Sequence, residues 1–326
     1  MWPQALVFKF KFGRLCSFVA LFTVMYAMFF AMGSMRNLST DGVPLFFCLM
    51  IAYIIPASDY ISEQVVLAFD SLKPNLELSP HELEKTRERI IHKSLSTQLN
   101  SLGTGFLLGC AHVYLLILVS ANDPTWIRTL LDQFQLIATV VIWCLITTVI
   151  NQLISNARIF ARLAREHTRI DLFDAESLGA FSRVAVYSTL VLVGAQASMP
   201  LLLLQSEANY LTMIPGFLLL SFAMLVIFLL PLLPISARIR NHKQRELALI
   251  QDRIGSLMAS HSSPLEDDKV LVKLQPLLEY RREVKQVSAW PFESTIFFRL
   301  LIYLVIPPIT WVGAALIERL MESVNI

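Results

Sequence analysis

Four arginines with helical spacing are the residues of this chain best suited to chemistry, and that chemistry is anion binding. They follow one another at steps of four, three and four residues: Arg158, Arg162, Arg165 and Arg169. At about 100° per residue they share one helix face, along a stripe roughly 16 Å long. Guanidinium groups match phosphate oxygens in geometry, so the stripe predicts a site for anionic lipid headgroups or a phosphorylated ligand. The alternative is a membrane anchor whose arginines pair with acidic residues such as Glu82, Glu84 and Glu88.

A second group of candidates consists of polar side chains inside apolar runs, where such residues usually face the interior of a bundle. They are His112, Asn151 and Gln196. The other five histidines lie in polar stretches, so a bis-histidine haem within the chain has no support. We expect His112 to be neutral and hydrogen-bonded to Asn151, Gln196 or a carbonyl. No carboxylate lies deep in an apolar run, which argues against an ion-coupled transporter.

Motifs typical of enzymes and metal centres are missing from the sequence. It contains no nucleotide-binding loop, no HExxH, no GxSxG and no paired-carboxylate site. Its four cysteines all fall in apolar runs without a CxxC pair, so neither a zinc site nor a disulfide framework is expected. We therefore predict a protein without enzymatic activity, metal or cofactor.

The elements that must position these residues are membrane helices. The chain of 326 residues is 55% apolar and only 16% charged, against roughly 25% charged residues in soluble domains. Long unbroken apolar runs exclude the alternating pattern of a membrane barrel. Seven runs predict spans, at about 15–33, 43–57, 102–120, 131–155, 184–204, 209–235 and 294–316. The expected fold class is an all-α, polytopic transmembrane bundle of about seven spans with cytoplasmic helical hairpins.

Positive charge determines the predicted orientation. Of the 27 Lys and Arg residues, 23 fall in four stretches that a bilayer would place on one side: 1–14, 58–101, 156–183 and 236–293. Because cationic loops resist translocation, this bias places the N-terminus in the cytoplasm and, after seven spans, the C-terminus outside. The predicted segments are two spans in 1–57, a cytoplasmic hairpin in 58–101, a four-span core in 102–235 with an Arg-rich loop 156–183, a second hairpin in 236–290, and the last span with an outside tail in 291–326.

Local signals describe the two hairpins further. In the first, Ser79 followed by Pro80 and Glu82 predicts a helix start with a capping box. In the second, apolar residues recur at three- and four-residue steps on both sides of a turn near 261–264. Each hairpin keeps a narrow apolar stripe, so we expect the two hairpins to pack on each other beneath the spans.

The sequence leaves two features of the predicted helices open. The run 43–57 is short for a span and either ends near Pro56 or continues into residues 60–70. Gly105 and Gly109 form a GxxxG motif, which serves either packing within one chain or dimerisation.

A series of residues in the C-terminal third carries a family likeness. The series is Trp290-Pro291-Phe292, Arg299, Tyr303, Ile306-Pro307, Trp311, Gly313 and Glu318-Arg319. Together with the segment 162–172 it resembles a family of uncharacterised multi-pass bacterial inner-membrane proteins. The resemblance implies a bacterial cytoplasmic membrane location and brings no activity, cofactor or site residue.

The sequence favours a non-enzymatic interaction or regulatory membrane protein, because most of its polar residues lie in the cytoplasmic stretches. The competing class is a small-molecule transporter or channel, with a path lined by His112, Asn151, Gln196 and the Pro307-Pro308 break. A third class is a lipid-handling enzyme that works at the arginine stripe. Expected partners are the lipid bilayer and anionic phospholipids, with a protein partner or homo-oligomer left open, and a net charge of +2 gives no case for nucleic acid. A cytoplasmic groove on a sealed bundle favours the first class, and a central polar cavity reaching His112 favours the second.

Overall fold

The computed structural model describes residues 6–32, 42–119, 130–172, 174, 178–204, 210–259, 268–288 and 290. Within these ranges the chain forms α-helices and no β-strand. The helices are α1 (Gly13–Ala31), α2 (Gly42–Leu72), α3 (Pro80–Ile91), α4 (Leu95–Val119), α5 (Leu130–Glu166), α6 (Gly179–Gln196), α7 (Tyr210–Ala259) and α8 (Asp268–Gln286). Two short 3-10 helices, Lys73–Asn75 and Met199–Leu204, follow α2 and α6.

Six helices are long and apolar enough to cross a membrane: α1, α2, α4, α5, α6 and α7. The prediction of an all-helical fold with several helices able to span a membrane is confirmed for the described residues. The most apolar stretches of α2 and α5 are 61% and 56% buried, whereas those of α1 and the α3–α4 segment are 11% and 17% buried. Together with α6, whose most apolar stretch is likewise 56% buried, the first pair forms the centre of the bundle, and α1 and α4 leave apolar sides exposed. The seventh predicted span, 294–316, lies outside the described residues, as do Arg299 and Pro307-Pro308.

Helix α2 continues well beyond the short apolar run that begins it. It extends without interruption over 31 residues and contains the buried Pro56, so of the two alternatives for run 43–57 the structure shows continuation. Its polar half is attached to the start of α1 by Arg14. The Nε atom of Arg14 donates to Asp59 Oδ2 at 2.9 Å, and its guanidinium lies over the Tyr60 ring at 5.4 Å.

The glycine motif of α4 packs within the chain. A Cβ atom added at Gly105 would lie 2.3 Å from Thr147 Oγ1 and 2.6 Å from the Cα of Cys144. At Gly109 the Cα of Val140 would be 2.9 Å away. Helices α4 and α5 therefore approach each other as closely as glycine permits. Of the two uses that the sequence left open, the structure shows packing inside one chain.

Helix α7 is the longest element, and α8 packs back along its second half. With 50 residues, α7 has a length of about 75 Å, more than twice the hydrocarbon thickness of a bilayer. Lys243 Nζ donates to the main-chain oxygens of Lys285 and Val287 at 2.7 and 2.8 Å. The predicted turn at 261–264 lies outside the described residues.

The two predicted hairpins have different packing partners. In the described residues α3 packs chiefly on α2, and α8 packs on α7. The expected packing of one hairpin on the other is therefore not a major contact there. Because α3 does not pack tightly on α5 either, space remains between these two helices at the end of the bundle where α3 lies, which we call the basic end.

Candidate functional site

Two connectors at the basic end are joined by main-chain hydrogen bonds. Glu77 N donates to His167 O at 2.7 Å, and Arg169 N donates to Asn75 O at 2.8 Å. Between them Leu76 and Thr168 form an antiparallel bridge, and both residues are buried. These bonds link the segment before α3 to the segment after α5, so they fix the start of α3 relative to the end of α5.

The start of α3 has the predicted capping box. Glu82 N donates to Ser79 Oγ at 3.3 Å, which satisfies one of the free amides of the first helical turn. In return Glu82 Oε2 accepts hydrogen bonds from Ser79 N at 3.0 Å and from Ser79 Oγ at 2.8 Å. These bonds lower the pKa of Glu82, which lies on the strongly polar α3 outside the apolar segments. Glu82 is thus a carboxylate whose acceptor oxygen is engaged by the helix start.

Lys93, in the connector before α4, attaches this connector to α5. Its Nζ atom donates to Ser155 Oγ and to Asn156 Oδ1, both at 2.9 Å. Its main-chain oxygen accepts from Gln98 Nε2 at 3.0 Å. Burial lowers the pKa of Lys93 to about 8. None of the ion pairs between described residues involves this lysine, so its ammonium group is held by neutral acceptors.

These connections leave a groove between α3 and α5 with a volume of about 560 Å³, within the usual size range of ligand pockets. Basic side chains line it from both walls: Lys85 and Arg89 on α3, Arg158 and Arg162 on α5, and His167 just beyond α5. Neutral polar residues also line it, namely Thr86, Thr97, Asn151 and Ser155, together with the carboxylate of Glu82 and three apolar side chains. We call this feature the basic groove.

The basic groove divides the arginine stripe into two halves. Arg158 and Arg162 line the groove, whereas Arg165 and Arg169 do not. All four side chains are exposed, and no ion pair between described residues involves any of them. The alternative of pairing with Glu82, Glu84 and Glu88 is therefore not the arrangement found in this part of the chain.

The three intramembrane polar candidates are not brought together. The His112 ring packs against Trp143 with centroids 5.6 Å apart, and its Nδ1 atom has no hydrogen-bond partner among the described residues. Asn151 Nδ2 donates to Ser101 Oγ, and Gln196 Nε2 donates to Ser221 Oγ at 3.1 Å. The hydrogen bond expected between His112 and either amide is thus wrong for this part of the structure. Asn151 belongs instead to the lining of the basic groove.

Sequence reasoning missed most other residues of this region, with Lys85, Arg89, Lys93 and Ser155 among them. Lys85 and Arg89 are four positions apart on α3, so their shared face was readable from the sequence once the helix start at Ser79 was known. Lys93 and Ser155 carried no such signal. Their contact joins residues 62 positions apart and exists only because α4 returns alongside α5.

Comparison of the chain with family models, with curated proteins and with solved structures finds no match. The likeness to multi-pass bacterial inner-membrane proteins therefore stays a prediction.

Proposed function

We propose that this chain is an integral membrane protein with an interaction or regulatory role rather than an enzymatic one, and that its basic groove binds the headgroup of an anionic phospholipid. The proposal includes the orientation: the N-terminus and the groove face the cytoplasm of a bacterium, and the C-terminus lies outside its inner membrane. The six apolar helices support the membrane location. The clustering of Lys and Arg in four stretches supports the orientation.

One observation carries the binding proposal: the Lys and Arg side chains that line the two walls of one groove form no ion pair between described residues. Among its described lining residues the carboxylate is Glu82, and Glu82 is engaged by Ser79. Like charges placed close together repel each other, so an anion that enters the groove relieves repulsion as well as gaining attraction. Arginine also offers paired donors that suit phosphate oxygens.

The position of the groove favours a lipid as the source of the anion. Its lining begins at Asn151, near the end of the apolar run of α5, and reaches His167 about 24 Å further along the chain if the helical rise is kept. Apolar side chains lie among the cations, namely Leu78, Ile159 and Leu163. A headgroup at this depth would meet the cations while its acyl chains stay beside the apolar helices. Each basic residue near an anionic leaflet contributes about 1 kcal/mol of attraction.

The transporter or channel alternative gains less from the described residues. His112 and Gln196 do not line the basic groove. They have separate partners, Trp143 and Ser221. A shared polar path through the bundle would need these side chains to face one space, and their contacts lead to different neighbours.

The stripe itself supplies a matched test. The double variant Arg158→Gln with Arg162→Gln removes two charges from the groove, and Arg165→Gln with Arg169→Gln removes two charges from the same stripe outside it. In native mass spectrometry we expect the first variant to retain at least about tenfold less phosphatidylglycerol or cardiolipin, from the loss of two contacts of about 1 kcal/mol each. The second variant should resemble the wild type.

Two outcomes would contradict the proposal. Equal losses in both variants would show that lipid is held by diffuse charge, since both remove the same number of cations. Unchanged lipid retention with a lowered melting temperature in the groove variant would show that Arg158 and Arg162 are structural.

A further inference from the structure

We infer that the basic groove selects a phosphomonoester, a terminal phosphate with close to two negative charges, over the singly charged phosphodiester of common anionic lipids. This preference rests on the proposed function, because it concerns the ligand of the same groove. Three features of the groove support it: cations on opposite walls, a carboxylate engaged by the start of α3, and a hydroxyl group whose hydrogen is free to donate.

The cations lie on two walls that the fold holds in place. Lys85 and Arg89 belong to α3, and Arg158 and Arg162 belong to α5. The main-chain bonds around Leu76 and Thr168 fix one wall relative to the other. A phosphodiester has one charge on two free oxygens, so it offers the four cations of the two walls less charge and fewer acceptor atoms. A phosphomonoester carries about −1.5 to −2 charge at neutral pH on three terminal oxygens, which suits cations on both sides.

The carboxylate of Glu82 would repel a doubly charged ligand more strongly than a singly charged one. Its Oε2 atom is bound by the amide and the hydroxyl of Ser79, at 3.0 and 2.8 Å. The negative charge is therefore directed to the N-terminus of α3, where the helix dipole also stabilises it. The capping box thus lowers the repulsion that this lining residue would exert on a dianion.

Ser155 supplies a hydrogen-bond donor for a third phosphate oxygen. Its Oγ atom accepts from Lys93 Nζ at 2.9 Å, and no hydrogen bond donated by Ser155 is found among the described residues. A hydroxyl group has one hydrogen to donate, and the bond from Lys93 occupies one of its acceptor positions. Lys93 is therefore a positioning residue: it fixes the Ser155 oxygen so that its hydrogen stays available to the groove.

The test compares three probes with the full chain in neutral detergent at pH 7.5, where the second ionisation of a phosphomonoester, with a pKa of about 6, is largely complete. The probes are dioctanoyl phosphatidic acid, dioctanoyl phosphatidylglycerol and sn-glycerol 3-phosphate, each titrated calorimetrically. We expect phosphatidic acid to bind about tenfold more tightly than phosphatidylglycerol, the effect of one additional charge-assisted hydrogen bond. Ser155→Ala should reduce this ratio severalfold, while Ser256→Ala, a serine on the distal part of α7, should preserve it.

The third probe identifies the source of the phosphate. If glycerol 3-phosphate binds as tightly as phosphatidic acid and depends equally on Arg158 and Arg162, the ligand is a soluble phosphomonoester. If only phosphatidic acid binds, the ligand is a lipid. Both results support the preference for a phosphomonoester.

Two results would overturn the preference, and they separate it from the proposed function. Equal affinities for the two lipids, both lost in the Arg158→Gln, Arg162→Gln variant, would reject the phosphomonoester and leave lipid binding at the groove intact. Affinities that do not depend on Arg158 and Arg162 for any probe would reject both. Melting curves of each variant ensure that a loss of binding is not a loss of folding.

Discussion

The basic groove and the α7–α8 pair both carry cations at the basic end, but they use them differently. On α7, Lys243 donates to the main-chain oxygens of Lys285 and Val287 at the end of α8. Arg238, also on α7, donates to the oxygens of Ala164 and Arg165 at 3.2 and 3.1 Å, at the end of α5. In the groove, by contrast, no main-chain oxygen is seen to accept from Arg158 or Arg162 among the described residues, and neither arginine takes part in an ion pair there.

This difference separates cations that stabilise the fold from cations that remain available to a ligand. A cation at the C-terminal end of a helix satisfies free carbonyl groups and interacts favourably with the helix dipole, so its role is complete within the chain. All these cations count equally in the charge bias from which the orientation of the spans is predicted. The cations that remain available to a ligand are those without an internal partner, and the structure is needed to identify them. Arg238 links the two regions, because it holds the end of α5 that follows the groove residues.

The largest expected effect tests whether the α7–α8 pair is independent of the groove. Leu274 on α8 is 8% exposed, and Val272 two residues earlier is 72% exposed. Leu274→Asp should destabilise the packing of α8 on α7 by about 3 kcal/mol, because it buries a charge without a partner. Val272→Asp introduces the same charge on the solvent side and should change the melting temperature little.

Lipid retention by these two variants shows whether the basic groove depends on the α7–α8 pair. We expect the Leu274→Asp protein to retain anionic lipid like the wild type, since no residue of α8 lines the groove. A parallel loss of lipid in that variant, but not in Val272→Asp, would show that the groove depends on the α7–α8 pair and that the two regions act as one unit.

An intermediate effect is expected at Gly105, where α4 packs against α5. Gly105→Ala would place a Cβ atom 2.6 Å from the Cα of Cys144, so α4 must shift away from α5. We expect a loss of about 1–3 kcal/mol from this overpacking, with weaker lipid retention because α4 carries Thr97 of the groove lining. Gly103→Ala is the matched control, since nothing lies within 4 Å of its added Cβ atom. Melting temperatures of the two variants in one detergent measure the difference, and equal values would refute close α4–α5 packing.

Much of the fold was predictable because its signals are local. Length and hydropathy predict the membrane helices, and the sequence from Ser79 to Glu82 predicts the start of α3. On α8 the periodic pattern was only partly right. Leu274 and Val284 are buried and Leu277 is half-buried, in keeping with the three- and four-residue steps, but Leu271 is exposed and its neighbour Val270 is buried in its place. Two leucines next to each other, or a valine beside a leucine, leave the buried face ambiguous by one residue.

The site was less predictable because it depends on contacts between distant parts of the chain. The arginine stripe was visible, but which arginines line a groove depends on the position of α3, and bonds such as Glu77 N to His167 O fix that position. These bonds join main-chain atoms, which every residue possesses, so no residue type in the sequence predicts them. The partner of His112 could not be predicted for a related reason, since the residue that faces it, Trp143, belongs to another helix.

The smallest expected effect concerns Glu82, the lining residue that distinguishes a groove prepared for anions from a merely basic one. Glu82→Gln keeps the capping box, because glutamine serves at this position as well as glutamate, and it removes the negative charge. Ser79→Ala does the reverse: it releases the carboxylate, which is then free to turn towards Lys85 and Arg162. We expect Glu82→Gln to strengthen lipid retention by a small factor. Ser79→Ala should weaken retention and also cost about 1 kcal/mol of helix stability.

The opposite signs of these two changes make the comparison decisive. If the capping box holds the carboxylate away from the ligand, Glu82→Gln strengthens lipid retention only slightly, because little repulsion remains to be removed. Ser79→Ala, which releases the carboxylate, then weakens lipid retention by a larger factor. A large gain in Glu82→Gln would show that the carboxylate already opposes the ligand in the wild type, so that the cations of the groove are partly neutralised from within. In that case the groove would resemble the α7–α8 pair, whose cations are engaged by the chain itself. Retention of anionic lipid by the two variants and the wild type, measured side by side at equal salt, distinguishes these cases, since exposed charges are screened over about 8–10 Å.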